Sequence, residues 1–232
     1  MIVVTGTGCL SQELVKRSTE ALPIEALSRQ DMDITNEKQV WAVIGERAAG
    51  PNPPRYVVHT AALTKPMQIN DDDPMLSLET NIVGTANVVK ACYQHKLKLI
   101  YISTDFVYPP SQKSNEESGV VPQNKYAWSK LGGECAVQLL DDHLILRCAL
   151  CDIPFRHKVA FNDVFRNSIL HSQVAELILK LKDEIGAINI GGDYTSVYEF
   201  VSQFETIETR SGKEIVPSLE LDISKLTIKL RA

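Results

Sequence analysis

The N-terminal stretch limits the possible folds more than any other part of the chain. Ile2–Thr5 is an apolar run with the length of a buried strand, and a glycine-containing turn at residues 6–11 follows it directly. A strand, a glycine turn and a helix in this order can form a phosphate-binding loop. Gly6 permits the tight turn, Gly8 lets the backbone approach a pyrophosphate, and the helix N-terminus offers free N–H groups.

The rest of the chain alternates strand-like apolar runs with helical periodicity. Strands are expected over residues 23–27, 56–60, 97–103, 143–148 and 187–190, and helices over residues 12–21, 37–48, 75–95, 122–140, 171–182 and 195–206. This alternation predicts an α/β fold, a Rossmann-like doubly wound parallel sheet with helices on both faces.

Composition and charge exclude several classes of function. The chain has 232 residues, of which 44% are hydrophobic, and its net charge is −5. A negative chain is not expected to bind nucleic acid or an acidic membrane surface. No apolar run reaches the length of about 18 residues that suggests a membrane span. The five cysteines are scattered and odd in number, which favours reduced thiols and a cytoplasmic location.

Two clusters resemble metal sites but have a simpler interpretation. Cys148 and Cys151 form a C-x-x-C motif, yet no second pair completes a zinc site. Buried thiols at a strand end are therefore favoured over a redox or zinc role. In the acidic run at residues 71–73, Asp73 is expected to cap a helix whose first residue is Pro74. The sequence predicts no metal site.

The end of the second predicted strand bears on the choice of dinucleotide. An NAD-preferring fold places an acidic residue there, about 20 residues past the glycines, to hold the ribose hydroxyls. Here the strand ends in Ser28 and Arg29, with no acid at that point. An arginine suits a 2′-phosphate, so the pattern favours NADP(H), with NAD(H) and a merely solvated Arg29 as the alternatives.

Residues with catalytic chemistry follow the fourth predicted strand. Tyr126 and Lys130 are four residues apart and share one face of a helix. Thr104 and Asp105 stand at the carboxyl end of a nearly all-apolar strand, where open α/β sheets bind their ligands. Together with the glycine turn, these residues favour a reductase centre over a solvated helical pair beside an ordinary strand end.

The motifs together resemble the extended short-chain dehydrogenase/reductase superfamily, and finer matches point to the dTDP-4-dehydrorhamnose reductases. The resemblance is strong over residues 1–150 and patchy after them. The matching segments are Thr5-Gly6-Thr7-Gly8-Cys9-Leu10, Asp33-Ile34-Thr35, Ala61-Ala62-x-Thr64, Asn81-x-x-Gly84-Thr85-x-Asn87, Ser103-Thr104-Asp105-Phe106-Val107-Tyr108, Pro122-x-Asn124-x-Tyr126-x-x-Ser129-Lys130-x-x-x-Glu134 and Leu221-Asp222-Ile223-Ser224-Lys225-Leu226.

This resemblance implies reduction of the C4 ketone of a nucleotide-linked 4-keto-6-deoxy sugar by a nicotinamide cofactor. Tyr126 would donate the proton, and Lys130 would lower the pKa of Tyr126 and bind the nicotinamide ribose. Thr104 would hold the carbonyl oxygen, with Asp105 beside it in the substrate site. Asn81 would hold a proton-relay water or support the site from its helix. The implied cofactor contacts are Gly6, Gly8, Cys9 and Leu10 at the pyrophosphate, Ser28, Arg29, Asp33 and Ile34 at the adenosine half, and Ala61 and Ala62 at the nicotinamide half, with Tyr126 and Lys130 also among the cofactor-binding residues.

The resemblance also implies two parts of the chain. Residues 1–150 would form the dinucleotide-binding domain, and residues 151–232 would form a trimmed C-terminal substrate-binding part that interleaves with the first. The segment shortened relative to the family lies around residues 153–165, so no substrate-binding residue is assigned there.

Three alternatives remain open. The trimmed segment suits a non-catalytic NADP-binding regulatory subunit like that of methionine adenosyltransferase, which resembles the same reductases. A bifunctional epimerase/reductase would need a further acid–base pair that the sequence does not identify. An epimerase or dehydratase is disfavoured because Phe106, rather than a second acid, follows Asp105.

The amphipathic helix over residues 75–95 also suits packing against a second subunit, which favours a homodimer.

Overall fold

The computed structural model describes residues 1–64 and 67–231, and its centre is a six-stranded sheet in which all neighbouring strands are parallel. The strands are β1 (Ile2–Thr5), β2 (Ile24–Leu27), β3 (Tyr56–His59), β4 (Lys98–Thr104), β5 (His143–Cys148) and β6 (Gly186–Ile190). Their order across the sheet is β6-β5-β4-β3-β1-β2.

Five longer helices cover the two faces of this sheet. They are α1 (Cys9–Val15), α2 (Glu37–Ala49), α3 (Gly84–His95), α4 (Lys125–Val137) and α5 (His171–Leu181). Ile2 and Val4 of β1 pack into a core with α1 and α5, whereas Val3 packs into a second core with α2, α3 and α4. Successive residues of a strand point to opposite faces, so both faces are covered and the predicted doubly wound sheet is confirmed.

The strand order places a crevice at the carboxyl end of the sheet. β1 pairs with β2 on one side and with β3 on the other, so the chain leaves β1 and β3 in opposite directions. Open α/β sheets bind their ligands at such a switch point.

The first helix is shorter than the sequence predicts. α1 ends at Val15 and not at residue 21. The hydroxyl oxygen of Ser18 accepts a hydrogen bond from the backbone N–H of Ile24 at 2.9 Å. That of Thr19 accepts one from the N–H of Leu22 at 3.0 Å. These side chains offer the backbone a turn in place of another helical turn.

The helix predicted over residues 75–95 forms, with a change of helix type inside it. Asp73 caps it as expected, because its carboxylate accepts from the N–H of Leu76 at 3.1 Å, and Pro74 is the first helical residue. A π-helix at Leu78–Val83 then separates the short α-helix Pro74–Ser77 from α3. Such wide turns are frequent at functional sites. A further short helix, Ile69–Asp72, precedes this region.

Among the described residues, four two-stranded sheets lie outside the main sheet. The paired short strands are Leu150–Cys151 with Ile169–Leu170, Val159–Phe161 with Glu208–Arg210, Phe165–Arg166 with Thr195–Ser196, and Lys113–Ser114 with Glu220–Leu221. The helix predicted over residues 195–206 is confined to Val197–Val201 and capped by Ser196. The last helix is Ser224–Lys229, and a 3-10 turn, Asp105–Val107, follows β4.

Candidate active site

The glycine turn after β1 lies under the crevice. Gly6 has a φ of +87°, and a Cβ atom there would come within 3.2 Å of the Cα of Ala61. Gly8 precedes α1, and a Cβ atom added to it would meet nothing within 4 Å. The fold itself therefore requires glycine at position 6, whereas Gly8 leaves open space above the turn. Ser11, in place of a third glycine, is buried and hydrogen-bonded to the hydroxyl of Thr60 at 2.7 Å.

A chain of hydrogen bonds ties this turn to β3 and to the π-helix. The hydroxyl of Thr85 donates to the carbonyl oxygen of Asn81 at 2.7 Å, so the 3.0 Å bond between Thr85 and His59 is donated by Nε2 of the ring. Nδ1 of His59 then accepts from the hydroxyl of Thr5 at 2.6 Å, and the same Thr5 oxygen accepts from the N–H of Ala61 at 3.2 Å. Burial lowers the pKa of His59 to about 3, so the ring is neutral. No local motif in the sequence identified His59.

Tyr126 and Lys130 lie on α4. Asn124 caps this helix by accepting from the N–H of Ala127 at 2.8 Å. Lys130 is buried, with its Nζ 4.1 Å from the centroid of the Tyr101 ring. Burial lowers the pKa of Lys130 to about 7, so its amine is partly deprotonated at neutral pH.

The surroundings of Tyr126 raise the pKa of its hydroxyl. Burial is the largest cause, the Asp105 carboxylate and the Cys148 thiol add to it, and Arg166 opposes them. Lys130 is expected to lower the pKa of Tyr126, but the net shift in this structure is upward, because burial outweighs the charge of a lysine that is itself only partly protonated. Tyr126 is protonated at neutral pH, which is the form that a proton donor needs.

A buried ion pair fixes α4 to β5. Glu134 is fully buried and accepts from the guanidinium of Arg147 at 2.8 Å. Arg147 also donates to the hydroxyl of Tyr108 at 2.7 Å, and Tyr108 donates to the side-chain oxygen of Asn189 at 2.8 Å. The helix that carries the tyrosine and lysine is thus anchored to β5, and through Asn189 to β6.

Asn81 supports the site from the π-helix. Its Nδ2 donates to the hydroxyl of Ser129 at 2.8 Å and to the carbonyl oxygen of Leu63 at 3.1 Å, and its Oδ1 accepts from the N–H of Leu63 at 2.7 Å. Ser129 lies on α4 between Tyr126 and Lys130. Both ends of the amide are used in this way, which fits the supporting role.

A cleft of about 310 Å³ joins the glycine turn to α4, at the lower end of the size of small-molecule sites. The predicted site residues that line it are Gly8, Cys9, Leu10, Ala62, Thr104, Asp105, Tyr126 and Lys130. Those that do not line it are Gly6, Ser28, Arg29, Asp33, Ile34, Ala61 and Asn81. The side chain of Ile34 is instead buried in the second core. Among the described residues that line the cleft, Ser103 has a buried hydroxyl without a hydrogen-bond partner.

The substrate role expected of Asp105 changes in the structure. Asp105 lines the cleft, but its carboxylate is fully buried and paired with Arg166 of the short strand Phe165–Arg166. Sequence reasoning missed Arg166, since it is 61 residues from Asp105 and belongs to no motif. Arg156 and His171 also line the cleft, where both approach Asp152.

A carboxylate lies at the end of β2, where the sequence predicts none. A turn brings Asp31 back onto Ser28, whose backbone N–H and hydroxyl donate to its carboxylate at 2.8 and 2.6 Å. These hydrogen bonds lower the pKa of Asp31. Arg29 is largely exposed and donates to Asp33 at 3.1 Å. The prediction that no acid stands at this strand end is wrong, because a residue three positions further on folds back to it.

In the part of the chain that the structure describes, no group of three His, Cys, Asp or Glu residues has the arrangement of a metal site. The thiol of Cys148 is buried, and burial raises its pKa. No helix within residues 1–64 and 67–231 is long and apolar enough to cross a membrane.

The fold and this cleft define an α/β protein of the nucleotide-binding type, with a tyrosine and a lysine at the cleft floor. Residues 1–151 match the family model of the RmlD substrate binding domain, and the chain belongs to that family. The expected relationship to the dTDP-4-dehydrorhamnose reductases is thereby confirmed.

Three relatives illustrate the similarity. The chain is 30% identical over 191 residues to a dTDP-4-keto-6-deoxy-D-glucose reductase of Streptomyces niveus, covering 79% of this chain and 62% of that protein. A crystal structure of dTDP-4-dehydrorhamnose reductase from Bacillus anthracis in complex with NADP has a TM-score of 0.83 and 23% identity, covering 98% of this chain and 92% of that chain. Methionine adenosyltransferase 2 subunit beta of Xenopus laevis is 33% identical over 85 residues, covering 36% of this chain and 25% of that protein. The chain spans 41–62% of the length of the first curated relatives it matches.

Proposed function

We propose that the chain is an NADP(H)-dependent reductase of a nucleotide-linked 4-keto-6-deoxy sugar, of the dTDP- or UDP-4-dehydrorhamnose type. The observation that carries the proposal is the presence of Thr104, Tyr126 and Lys130 in the same cleft as the glycine turn. The reductase of Streptomyces niveus, named for a dTDP-4-keto-6-deoxy sugar, supports this substrate class.

The residues fit a dinucleotide. The space above Gly8 lets a pyrophosphate approach the backbone, and the crevice lies where the strand order reverses. NAD(H) is the alternative cofactor. Asp31 at the end of β2 suits the ribose hydroxyls of NAD(H), whereas Arg29 suits the 2′-phosphate of NADP(H).

The chain's own residues handle the carbonyl oxygen and the proton. When bound, a reduced nicotinamide would supply the hydride. The hydroxyl of Thr104 holds the substrate oxygen at the strand end, and Tyr126 gives its proton to that oxygen as negative charge develops there. A positive charge on Lys130 favours the loss of this proton, and Asn81 keeps α4 in register through Ser129.

The test is NADPH oxidation with dTDP- and UDP-4-keto-6-deoxyglucose. We expect turnover with at least one of them, and Tyr126→Phe should lower kcat by about 10²- to 10⁴-fold without changing NADPH affinity. Tyr93→Phe, at an exposed tyrosine of α3, is the matched control and should retain full activity. Absence of turnover with both substrates, from folded protein that binds NADPH, would reject the reductase.

A second candidate is a non-catalytic regulatory subunit, favoured by the match to methionine adenosyltransferase 2 subunit beta. Purification from the native source would then give a stoichiometric heteromeric complex. A chain that purifies without such a partner argues against this candidate.

We also infer a homodimer and a cytoplasmic location. Trp128 and Leu139 on the α4 side, and Met75 and Leu78 near the π-helix, are exposed apolar side chains on adjacent helical segments. Covering them with a second copy would remove apolar surface from water. Light scattering after gel filtration tests the dimer, and Leu139→Glu should shift it to monomer. The five free cysteines support a reducing compartment.

A further inference from the structure

His59 is buried at the carboxyl end of β3, and both nitrogens of its ring are hydrogen-bonded. Nδ1 accepts from the hydroxyl of Thr5 at 2.6 Å, and Nε2 donates to the hydroxyl of Thr85 at 3.0 Å. A neutral imidazole with its proton on Nε2 satisfies both bonds. The ring is therefore held in one orientation between two different elements of the fold.

A series of hydrogen bonds runs from Nε2 of this ring to the backbone of Tyr126. The Thr85 hydroxyl donates to the carbonyl oxygen of Asn81 at 2.7 Å, and the Asn81 amide donates to the hydroxyl of Ser129 at 2.8 Å. Ser129 in turn donates to the carbonyl oxygen of Tyr126 at 2.7 Å. Thr85, Asn81 and Ser129 are all buried, so water does not compete for these bonds.

The same ring also supports the aromatic side chain that holds Lys130. The ring centroids of His59 and Tyr101 are 5.7 Å apart, with the ring planes tilted by 35°. Tyr101 is fully buried on β4, and its ring centroid lies 4.1 Å from Nζ of Lys130. The place of the Lys130 amine thus depends on a ring that packs against His59.

On its other side, the imidazole is joined to the glycine turn. The Thr5 oxygen that donates to Nδ1 accepts from the backbone N–H of Ala61 at 3.2 Å. Ala61 lies directly against Gly6, the first glycine of the turn. One buried side chain therefore links the turn to both residues of the tyrosine and lysine pair.

We propose that His59 is a positioning residue, which fixes Tyr126 and Lys130 relative to the glycine turn and so sets where the proton donor lies against a dinucleotide bound over that turn. The inference rests on the proposed function for the reaction that this placement serves. His59 does not line the cleft, and both its nitrogens are engaged, so it acts through the residues that it holds.

The experiment measures amide hydrogen exchange in the cofactor-free full chain by mass spectrometry. His59→Leu should speed exchange in α4 by about 2- to 10-fold, because the hydrogen bonds that lead to it are lost, and should leave α5 on the opposite face of the sheet unchanged. A histidine that only fills the core would loosen both helices. His59→Gln keeps an amide that can donate to Thr85 and should restore most of the protection. Tyr56→Phe is the matched control, since it removes a 2.6 Å hydrogen bond to Asp183 from the same strand and should leave α4 unchanged.

The reductase assay provides a second measurement. His59→Leu should lower kcat by about 10- to 100-fold through misplacement of the proton donor, with the KM for the sugar substrate unchanged, and His59→Gln should recover most of this loss.

If His59→Leu fails to fold, Thr85→Val interrupts the same series of hydrogen bonds with a side chain of similar shape, and Thr85→Ser restores the hydroxyl. Equal exchange of α4 in wild type and in these variants, or a rise that α5 shares, would overturn the proposal. An active reductase whose kcat is the same in the variants would overturn it as well. Selective loosening of α4 in a chain that reduces neither keto sugar would support the positioning role and reject only the reductase.

Discussion

Tyr101 holds Lys130 at two points. Its ring centroid lies 4.1 Å from the Lys130 Nζ, and its hydroxyl donates to the Lys130 carbonyl oxygen at 3.1 Å. Because Tyr101 is fully buried on β4, the amine is fixed under the cleft in surroundings that lower its pKa to about 7. A lysine with that pKa changes its charge close to physiological pH.

The pH profile should report this lysine. We expect kcat/KM for NADPH to fall above pH 7 as Lys130 loses its proton, since this parameter reports ionisations of the free enzyme. In Lys130→Arg the guanidinium stays charged, so the fall near pH 7 should disappear, although altered geometry lowers the rate by about 10-fold or more. Lys125→Met, at an exposed lysine of the same helix, should keep the wild-type profile. An unchanged fall near pH 7 in Lys130→Arg would assign it to another group.

His59 should make the fold acid-sensitive. Its pKa is about 3 in the folded chain and about 6.5 when unfolded, so the unfolded chain binds the proton first as the pH falls. Stability is then lost from pH 6.5 downwards, by up to about 1.4 kcal/mol per pH unit. A plot of the free energy of unfolding, measured by urea denaturation, against pH should have a smaller slope across this range for His59→Gln than for wild type. His157→Gln, at an exposed histidine, should keep the wild-type slope, and equal slopes in all three proteins would contradict the assignment.

The end of β2 should set the cofactor preference. The Asp31 carboxylate, fixed by Ser28, opposes a 2′-phosphate, whereas Arg29 attracts it. Asp31→Asn should raise the ratio of kcat/KM for NADPH over NADH by about 5- to 10-fold, and Arg29→Ala should lower it by a similar factor. Arg55→Ala, at an exposed arginine paired with Asp183, is the control without effect. A ratio that stays constant in both variants would place the ribose away from this turn.

The buried pair of Glu134 and Arg147 should matter more for stability than an exposed pair. Glu134→Gln leaves a buried guanidinium without its counter-charge and should lower the free energy of unfolding by about 3–5 kcal/mol. Glu176→Gln breaks the exposed pair with Lys180 and should change it by less than about 1 kcal/mol. Urea denaturation compares the two, and similar losses would show that burial of the first pair is unimportant.

Much of the framework could be predicted from local sequence. The strand from His143 to Cys148 has the predicted bounds, and the start of α2 after Asn36 also agrees. Apolar runs of strand length, helix caps and glycine turns act within a few residues, so their signals can be read from neighbouring positions. Less predictable were the end of α1 and the π-helix around Asn81, which depend on side-chain bonds and packing against α4.

The sequence by itself determined the alternating sheet architecture, the glycine turn and the candidate residues Thr104, Tyr126 and Lys130, because their periodicity and spacing are local. Only the tertiary structure decided that Arg166 meets Asp105, since the two come from elements far apart in the chain and meet where the C-terminal part folds over the sheet. The tertiary structure also decided the pKa values of Tyr126 and Lys130. The pKa of a buried group depends on how much water the whole fold removes from it, and no short stretch of sequence specifies that.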